Sequence, residues 1–413
     1  MSDDPSSPAQ APEPAPANPD PETGQVSIFT PEFAANPQPV YRRLVQDHPF
    51  TRAALTNGAI ISRYEDVVSA LRQPQIYSSE MDLHLALGNS RPMIPQQIDP
   101  PAQTKFRKIL DPRFSRKRMA EIEPRVREHA NELIDAVIDK GECEFGKAFA
   151  IPLPCSAFLG LMGLPQEELP LFLSFKDGII RPHLQTDDME EATKIRKATA
   201  QAIYEYFGKL VVERKANPKD DLMTYLVTAE VEGHVLTSDE ILDICFLLIL
   251  AGLDTVTATL GCDIAYLARH PEQRQSIVEK PELIDGMVEE LLRWETPVTA
   301  VPRVLKQAVT LGDMEIKAGE MVTLLIGAAN LDDGEFGNAN EVDFERKRNR
   351  HLALGGGAHR CLGSHLARME MRVALEEWHR RIPDYEIAPG ETPRYSPGIR
   401  EVQYLPLVWK TKG

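Results

Sequence analysis

Residues 239–270 form a long run with helical periodicity, and its first half is apolar on nearly every side, with no charge from Ile244 to Leu253. A helix without a polar face must be enclosed by other elements, so this stretch predicts a body of helices packed around it. The uncharged part is too short to cross a bilayer and ends at Asp254. Helical spacing recurs over 125–138, 187–215 and 273–295, whereas strand-like pieces are short, at 59–62, 304–310, 321–326 and 403–409. The expected fold class is mainly α with a smaller β portion. Residues 1–25 are rich in Pro and Ala with little to bury and are expected to be a disordered tail. Beyond them no linker-like shift or internal repeat breaks the chain, which predicts a single large domain over 26–413.

The centre of the apolar helix reads Leu247-Leu248-Ile249-Leu250-Ala251-Gly252-Leu253-Asp254-Thr255. Gly252 is a poor helix former, and an Asp followed by a Thr in a buried stretch needs partners or a purpose. The Thr255 hydroxyl can bond back to the Ala251 carbonyl one turn earlier and bend the helix, opening a groove. An acid beside an alcohol in an apolar wall suits the delivery of protons to a buried reactant. Taken alone, the pair is equally a polar couple satisfied by backbone or water.

Near the C-terminal end, Leu354-Gly355-Gly356-Gly357-Ala358-His359-Arg360-Cys361-Leu362-Gly363 sets one cysteine between a glycine-rich loop and a helical run. The glycines allow positive φ and close approach to a flat ligand, and Gly363 clears space beside the sulfur. Ser364 stands where a cap is expected, so Cys361 faces the positive end of a helix, which favours a thiolate and a soft or redox-active metal. The competing reading is a buried, inert thiol. The five cysteines (Cys143, Cys155, Cys245, Cys262 and Cys361) form no C-x-x-C pair, which fits a reducing compartment. Ten histidines without H-E-x-x-H spacing argue against zinc.

Glu290 and Arg293 stand three apart on one helix face, a pair that is minor at the surface and structural if buried. The net charge of −16 argues against nucleic acid or an anionic membrane as partner. Residues 1–22 lack the basic start and apolar stretch of a signal peptide, so a cytoplasmic location is expected. Two basic runs interrupt the acidity: residues 105–118, with seven cations against Asp111, and Arg346, Lys347, Arg348 and Arg350. If they converge they make a docking patch for an acidic partner; otherwise they are solvated helix faces.

In this order, Ala251 to Thr255, Glu290-Leu291-Leu292-Arg293 and Gly355 to Gly363 resemble the oxygen-activation, E-x-x-R and cysteine-loop motifs of the cytochrome P450 family, the haem-thiolate monooxygenases. The resemblance runs from about residue 28 to the end and is closest to the camphor-hydroxylase-like group of soluble bacterial members. Asp99-Pro100-Pro101-Ala102-Gln103-Thr104-Lys105-Phe106-Arg107 is similar to that group's haem-edge helix and the turn before it. The resemblance implies the cytochrome P450 fold and haem b (iron protoporphyrin IX), with Cys361 as the metal ligand. It implies Gln103, Arg107, Arg303 and His359 at the propionates, with Ala251, Gly252, Leu354, Gly355 and Gly363 also against the cofactor. Asp254 and Thr255 are implied as the catalytic pair that delivers protons during oxygen activation, and Glu290 and Arg293 as structural. Leu247, Leu250, Val298 and Thr299 are implied as substrate contacts, covered by the loop 83–93 and the region near Ile180.

The implied activity is hydroxylation of a small to medium apolar molecule, terpenoid-like first, steroid or fatty acyl next. Electrons would come from NAD(P)H through a reductase and a 2Fe-2S ferredoxin, and dioxygen would be the oxidant. A peroxide-using or isomerising haem-thiolate enzyme and a non-catalytic haem sensor or carrier are the alternatives. A Cys361/His359 hydrolase is more remote, because no third orienting group is evident. Several positions depart from the family pattern: Leu354 replaces a Phe, Val301 a polar residue of the haem-edge loop, and Arg91 a substrate-facing Tyr, while Asp343 stands where an Arg commonly joins Glu290 and Arg293.

Overall fold

The computed structural model describes residues 25–54, 57–81 and 87–411. Most of the proposed tail, and Leu83 of the proposed cover, lie outside them. A capping box starts the central helix: Thr237 Oγ1 accepts from Glu240 N at 3.2 Å, and the Glu240 carboxylate accepts from Thr237 N at 2.8 Å. The helix is two pieces, Ser238–Gly252 and Thr255–Arg269, interrupted at Leu253 and Asp254. Thr255 Oγ1 donates to Ala251 O at 2.8 Å, so the hydroxyl occupies a carbonyl of the preceding turn where the helix changes course. The Leu253 carbonyl accepts instead from Cys155 Sγ at 3.5 Å. Ser238–Arg269 is long and apolar enough to cross a membrane, but it is broken at its centre and mostly buried inside the protein.

The labelled helices are α1 (Tyr64–Leu71), α2 (Ala102–Leu110), α3 (Arg116–Asp135), α4 (Pro152–Met162), α5 (Leu169–Ile180), α6 (Met189–Ala216), α7 (Ser238–Gly252), α8 (Thr255–Arg269), α9 (Ile284–Glu295) and α10 (Ser364–Arg381). On one side of the broken pair, α3, α8, α9 and α10 enclose an aromatic core in which Trp378 meets Phe145, Phe149, Tyr385 and Trp409. On the other, α4, α5, α6 and α7 pack Phe158, Phe172, Phe207 and Phe246 into a second core. The bend lies between these two cores.

A five-stranded sheet covers a third cluster, in the order β1 (Phe50–Arg52), β2 (Ala59–Ile61), β5 (Met321–Leu324), β4 (Val301–Leu305), β3 (Tyr77–Ser78). β2 and β5 are parallel, pairing Ala59 with Val322, and the other neighbours are antiparallel. Near the C-terminus β6 (Glu401–Tyr404) lies along α8, where a Cβ on Gly261 would come within 3.5 Å of Val402. The expected class therefore holds, while several boundaries move. The expected helix 273–295 is split by Pro281, whose ring cannot donate to the ladder, into Pro271–Glu279 and α9. The expected strand 304–310 is two strands, β4 and Val309–Leu311, and 403–409 is divided between β6 and Pro406–Val408. α3 begins at Arg116, nine residues before the expected start at Arg125, and carries Pro124 inside it. Gly363, not Ser364, occupies the N-cap of α10, and no side chain caps it.

Candidate active site

Cys361 leaves the glycine loop with its N–H donating to Leu354 O at 2.8 Å. Gly355 and Gly357 adopt φ of +69° and +64°, and a Cβ at Gly357 would lie 2.1 Å from the Leu71 carbonyl. The loop can therefore lie this close to the end of α1 only with glycine there. Burial raises the Cys361 thiol pKa, partly offset by the Gly363 N–H and the charges of Arg107, Arg368 and Arg360. The helix-end effect expected from the sequence is thus outweighed by burial. A cation at the sulfur reverses that balance, because it stabilises the thiolate directly. No atom would crowd a Cβ at Gly363.

Along one edge, Arg303 on β4 is only 8% exposed, and its Nη1 donates to Pro302 O at 2.7 Å. No carboxylate pairs with it among the described ion pairs. Burial lowers its pKa, and the charge of Asp99 offsets this in part. His359 Nε2 is buried without a hydrogen-bond partner, 3.9 Å from Asp99 Oδ1. Burial first, then Arg303, bring the His359 pKa down to about 4. Asp99 itself accepts from Ser78 Oγ at 2.6 Å, Ser79 N at 2.9 Å and Lys306 Nζ at 2.9 Å. From α2, Gln103 Nε2 donates to Ala358 O at 2.7 Å, and Arg107 reaches Arg360 O at 2.9 Å and Asp111 at 2.9 Å. A buried, unpaired guanidinium beside an unsatisfied imidazole is costly alone and suits a ligand bearing carboxylates. With the half-buried Cys361 thiol and the glycine cradle, these residues fit haem.

The bend between α7 and α8 carries the second group of candidate residues. Ala251 is exposed, and Leu247, Leu250 and Thr255 are half-buried, although most of α7 around them is packed. Gly252 faces α4: a Cβ there would strike Phe158 at 2.7 Å, so its lack of a side chain serves helix packing. Val298 is half-buried beside Ile399. Thr299 is buried, with its hydroxyl on Gly398 O at 3.4 Å rather than toward the apolar stripe. Leu354 packs against the first core.

Asp254 is fully buried, and its partners come from far along the chain. Its Oδ1 accepts from Arg181 Nη2 at 2.7 Å and lies 3.4 Å from Lys176 Nζ, while Oδ2 has no bond. Arg181 also contacts Glu401 on β6. Glu370, on α10, is another buried acid whose pKa desolvation pushes well above the carboxylate range. Sequence reading missed Arg181, Lys176, Glu401 and Glu370; a lone buried Asp254 was the signal that a distant cation had to exist.

Glu290 and Arg293 are both fully buried, linked at 2.9 and 2.7 Å. Arg346, three residues beyond the position examined in the sequence, closes the network with Nε 3.1 and 3.0 Å from the two Glu290 oxygens. Asp343 contributes its backbone N–H at 3.0 Å, and Asn349 Nδ2 donates at 2.9 Å.

Residues 164–381 match the family model described as Cytochrome P450. The chain is 34% identical over 336 residues to the probable cytochrome P450 127A1 of Sinorhizobium fredii, covering 81% of this chain and 79% of that one. It is 33% identical over 339 residues to a steroid C26-monooxygenase of Mycobacterium tuberculosis, covering 81% and 90%. The Bacillus subtilis bacillaene polyketide synthase cytochrome P450 PksS superposes with a TM-score of 0.85 at 29% identity, covering 93% of this chain and 100% of that one. A half-buried cysteine on a glycine cradle, an interrupted central helix and these likenesses over most of the chain have one explanation: the chain belongs to the cytochrome P450 family and is a monooxygenase.

Proposed function

We propose that Cys361 ligates haem b, with Arg303, His359, Arg107 and Gln103 along the propionate edge, and that the enzyme hydroxylates an apolar molecule. The carrying observation is the buried, carboxylate-free Arg303 beside the unsatisfied His359 Nε2, at the edge of the loop that holds the Cys361 thiol. Haem, when bound, supplies the redox-active iron at which dioxygen is reduced and a C–H bond is oxidised. The chain's part is to hold that iron, exclude water, deliver protons and orient the substrate.

Asp254 and Thr255 are the proton-delivering pair: Asp254 Oδ2 is a buried acceptor without a partner, and Thr255 supplies a hydroxyl at the bend. Leu247, Leu250 and Val298 form the apolar wall, with Ala251 against the cofactor and Thr299 behind Val298. A pocket of this kind selects by shape and excluded water. Terpenoid and steroid substrates both suit it, and the named activity of the M. tuberculosis relative supports the second. Electrons would come from NAD(P)H through a reductase and a 2Fe-2S ferredoxin that docks on the cysteine side. Five free cysteines support a cytoplasmic setting.

The test is the difference spectrum of the reduced protein under carbon monoxide. Wild type should show the red-shifted band of thiolate-ligated haem, and Cys361→Ser should lose it. Thr255→Ala should keep the band but divert electrons to peroxide. Equal coupling of electrons to product in that variant would remove Thr255 from proton delivery.

A further inference from the structure

Asp254 and Glu401 meet on one nitrogen. Arg181, just after α5, donates Nη2 to Asp254 Oδ1 at 2.7 Å and also to Glu401 Oε2, while its Nη1 lies 3.3 Å from Asp177. Lys176 Nζ stands 3.2 Å from Asp177 and 3.4 Å from Asp254. Two cations therefore face three carboxylates, and all of these groups except Asp177 are buried. The other titratable groups around them do not alter that count. Burial pushes the Cys155 thiol up to about 12, the Cys262 thiol up to about 11 and the Glu370 acid well above the carboxylate range, so these three are neutral. Arg400, next to Glu401 in the chain, is taken by Glu295. One negative charge is left over, and a surplus buried charge is costly unless a proton cancels it.

We propose that Asp254 and Glu401 share a single proton beside Arg181, with Glu401 holding it at rest and passing it to Asp254 when Asp254 has given up its own. This rests on the reading of Asp254 as a proton-delivering residue. The two oxygens bonded to Nη2 can be no more than about 6 Å apart, twice an ordinary N–H···O length, a gap that one water can bridge. Like charges that close do not readily ionise together. The exchange balances: Glu401 becomes the carboxylate as Asp254 becomes the acid. Two cations face two anions before and after, so Arg181 is never left buried without a counter-charge. Burial raises the Glu401 pKa, Arg181 opposes the rise and Asp254 adds to it, which sets the resting proton on Glu401. Glu401 is also the outer member, with 9% of its side chain exposed against none for Asp254, so it is the one that refills from water. It acts through Asp254 and is a positioning residue.

Infrared difference spectra of the ferric holoenzyme at neutral pH test this, because a protonated carboxyl has a C=O stretch that a carboxylate lacks. Glu401→Gln should remove one such band, since Asp254 then stays ionised to match Arg181. Asp254→Asn should also remove one, although it leaves Glu401 in place, because Glu401 must then ionise. Glu401→Asp, which keeps an acid, should shift the band rather than abolish it, and it supplies the readout if the amide variant does not fold. Sharing is overturned if Asp254→Asn retains the band, which would fix the proton on Glu401 alone. It is overturned equally if neither amide substitution removes a band, which would make both acids ionised and Arg181 a structural clamp. Full coupling of electrons to product in Asp254→Asn would instead strike the proton-delivery reading of Asp254. That coupling is measured in turnover and the bands are not, so the two failures are distinct.

Discussion

Asp263 faces the core from α8 with neither carboxylate oxygen hydrogen-bonded among the described contacts. Complete burial pushes its pKa well above the carboxylate range. An acid shifted this way is protonated in the native state, so raising the pH lets only the unfolded chain ionise, and stability falls progressively above the ordinary value of 3.8. Asp263→Asn, which cannot ionise in either state, should therefore gain stability relative to wild type as the pH is raised to neutral. The gain should shrink toward zero about one pH unit below that ordinary value, where the carboxyl of the unfolded chain is also protonated. Denaturant titrations at the two pH values check this, and a variant weakened at both would mean that Asp263 has a partner the contacts do not reveal. Arg346 presents the opposite case, because it satisfies Glu290, which has no other route to solvent. Arg346→Ala should cost about 3 kcal/mol, as breaking a buried ion pair does. Measured by denaturant midpoint, a loss under about 1 kcal/mol would show that Arg293, Asn349 and the Asp343 N–H suffice.

Between elements, Glu289 ties α9 to α10 and to the segment before the glycine loop. Its oxygens accept from Arg368 Nε at 2.5 Å and Nη2 at 2.8 Å, and one lies 3.1 Å from His351 Nε2. Burial alone would raise its pKa, but the hydrogen bonds from Arg368 and His351 hold it at about 2. With the native value below the ordinary 4.5, this clamp contributes its full stability above pH 4.5 and loses it as pH falls toward 2. Glu289→Gln should flatten the acid limb of the stability–pH curve in that window while leaving the slope above pH 6 unchanged; an unaltered acid limb would assign it to other carboxylates. Legibility in the sequence divides along the same line of local against distant chemistry. The bend was readable because a Thr bonding four residues back is a rule of spacing, and the order of motifs was readable because each is contiguous. Arg181 meeting Asp254 across 73 positions was not, since nothing local encodes which distant cation answers a buried carboxylate. Arg346 replacing the position of Asp343 was missed for the same reason: a flexible arginine reaches Glu290 from more than one place. The packing of Gly252 against Phe158 was not legible either, because the composition of a motif does not say which side of the helix the missing Cβ faces.

Across the whole molecule, a net charge of −16 is set against a narrow basic face on the cysteine side. The first basic run meets the cysteine side, with Arg107 touching the glycine loop at Arg360 O and with Arg116, Arg360 and Arg368 all acting on His365. Much of the positive charge is already matched, however. Lys108 pairs with Glu232, Lys105 with Glu240, Arg118 with Glu121, and Arg350 with Glu335, while Arg346 is committed to Glu290. Arg116, Lys117 and Arg360 are exposed and have no acidic partner among the described ion pairs. An acidic ferredoxin would be steered by such unpaired cations, Lys347 among them, rather than by the full runs, and steering acts on encounter more than on the bound complex. Arg360→Gln or Arg116→Gln should thus lower the second-order rate of reduction by ferredoxin about three- to tenfold at low salt, with Lys108→Gln nearly silent. Stopped-flow reduction measures this, with dithionite as a control in which the three variants match wild type. At about 1 M salt, where the screening length is roughly 3 Å, the differences should vanish. If Lys108→Gln slows ferredoxin as much as Arg360→Gln does, total charge rather than its unpaired part guides the partner.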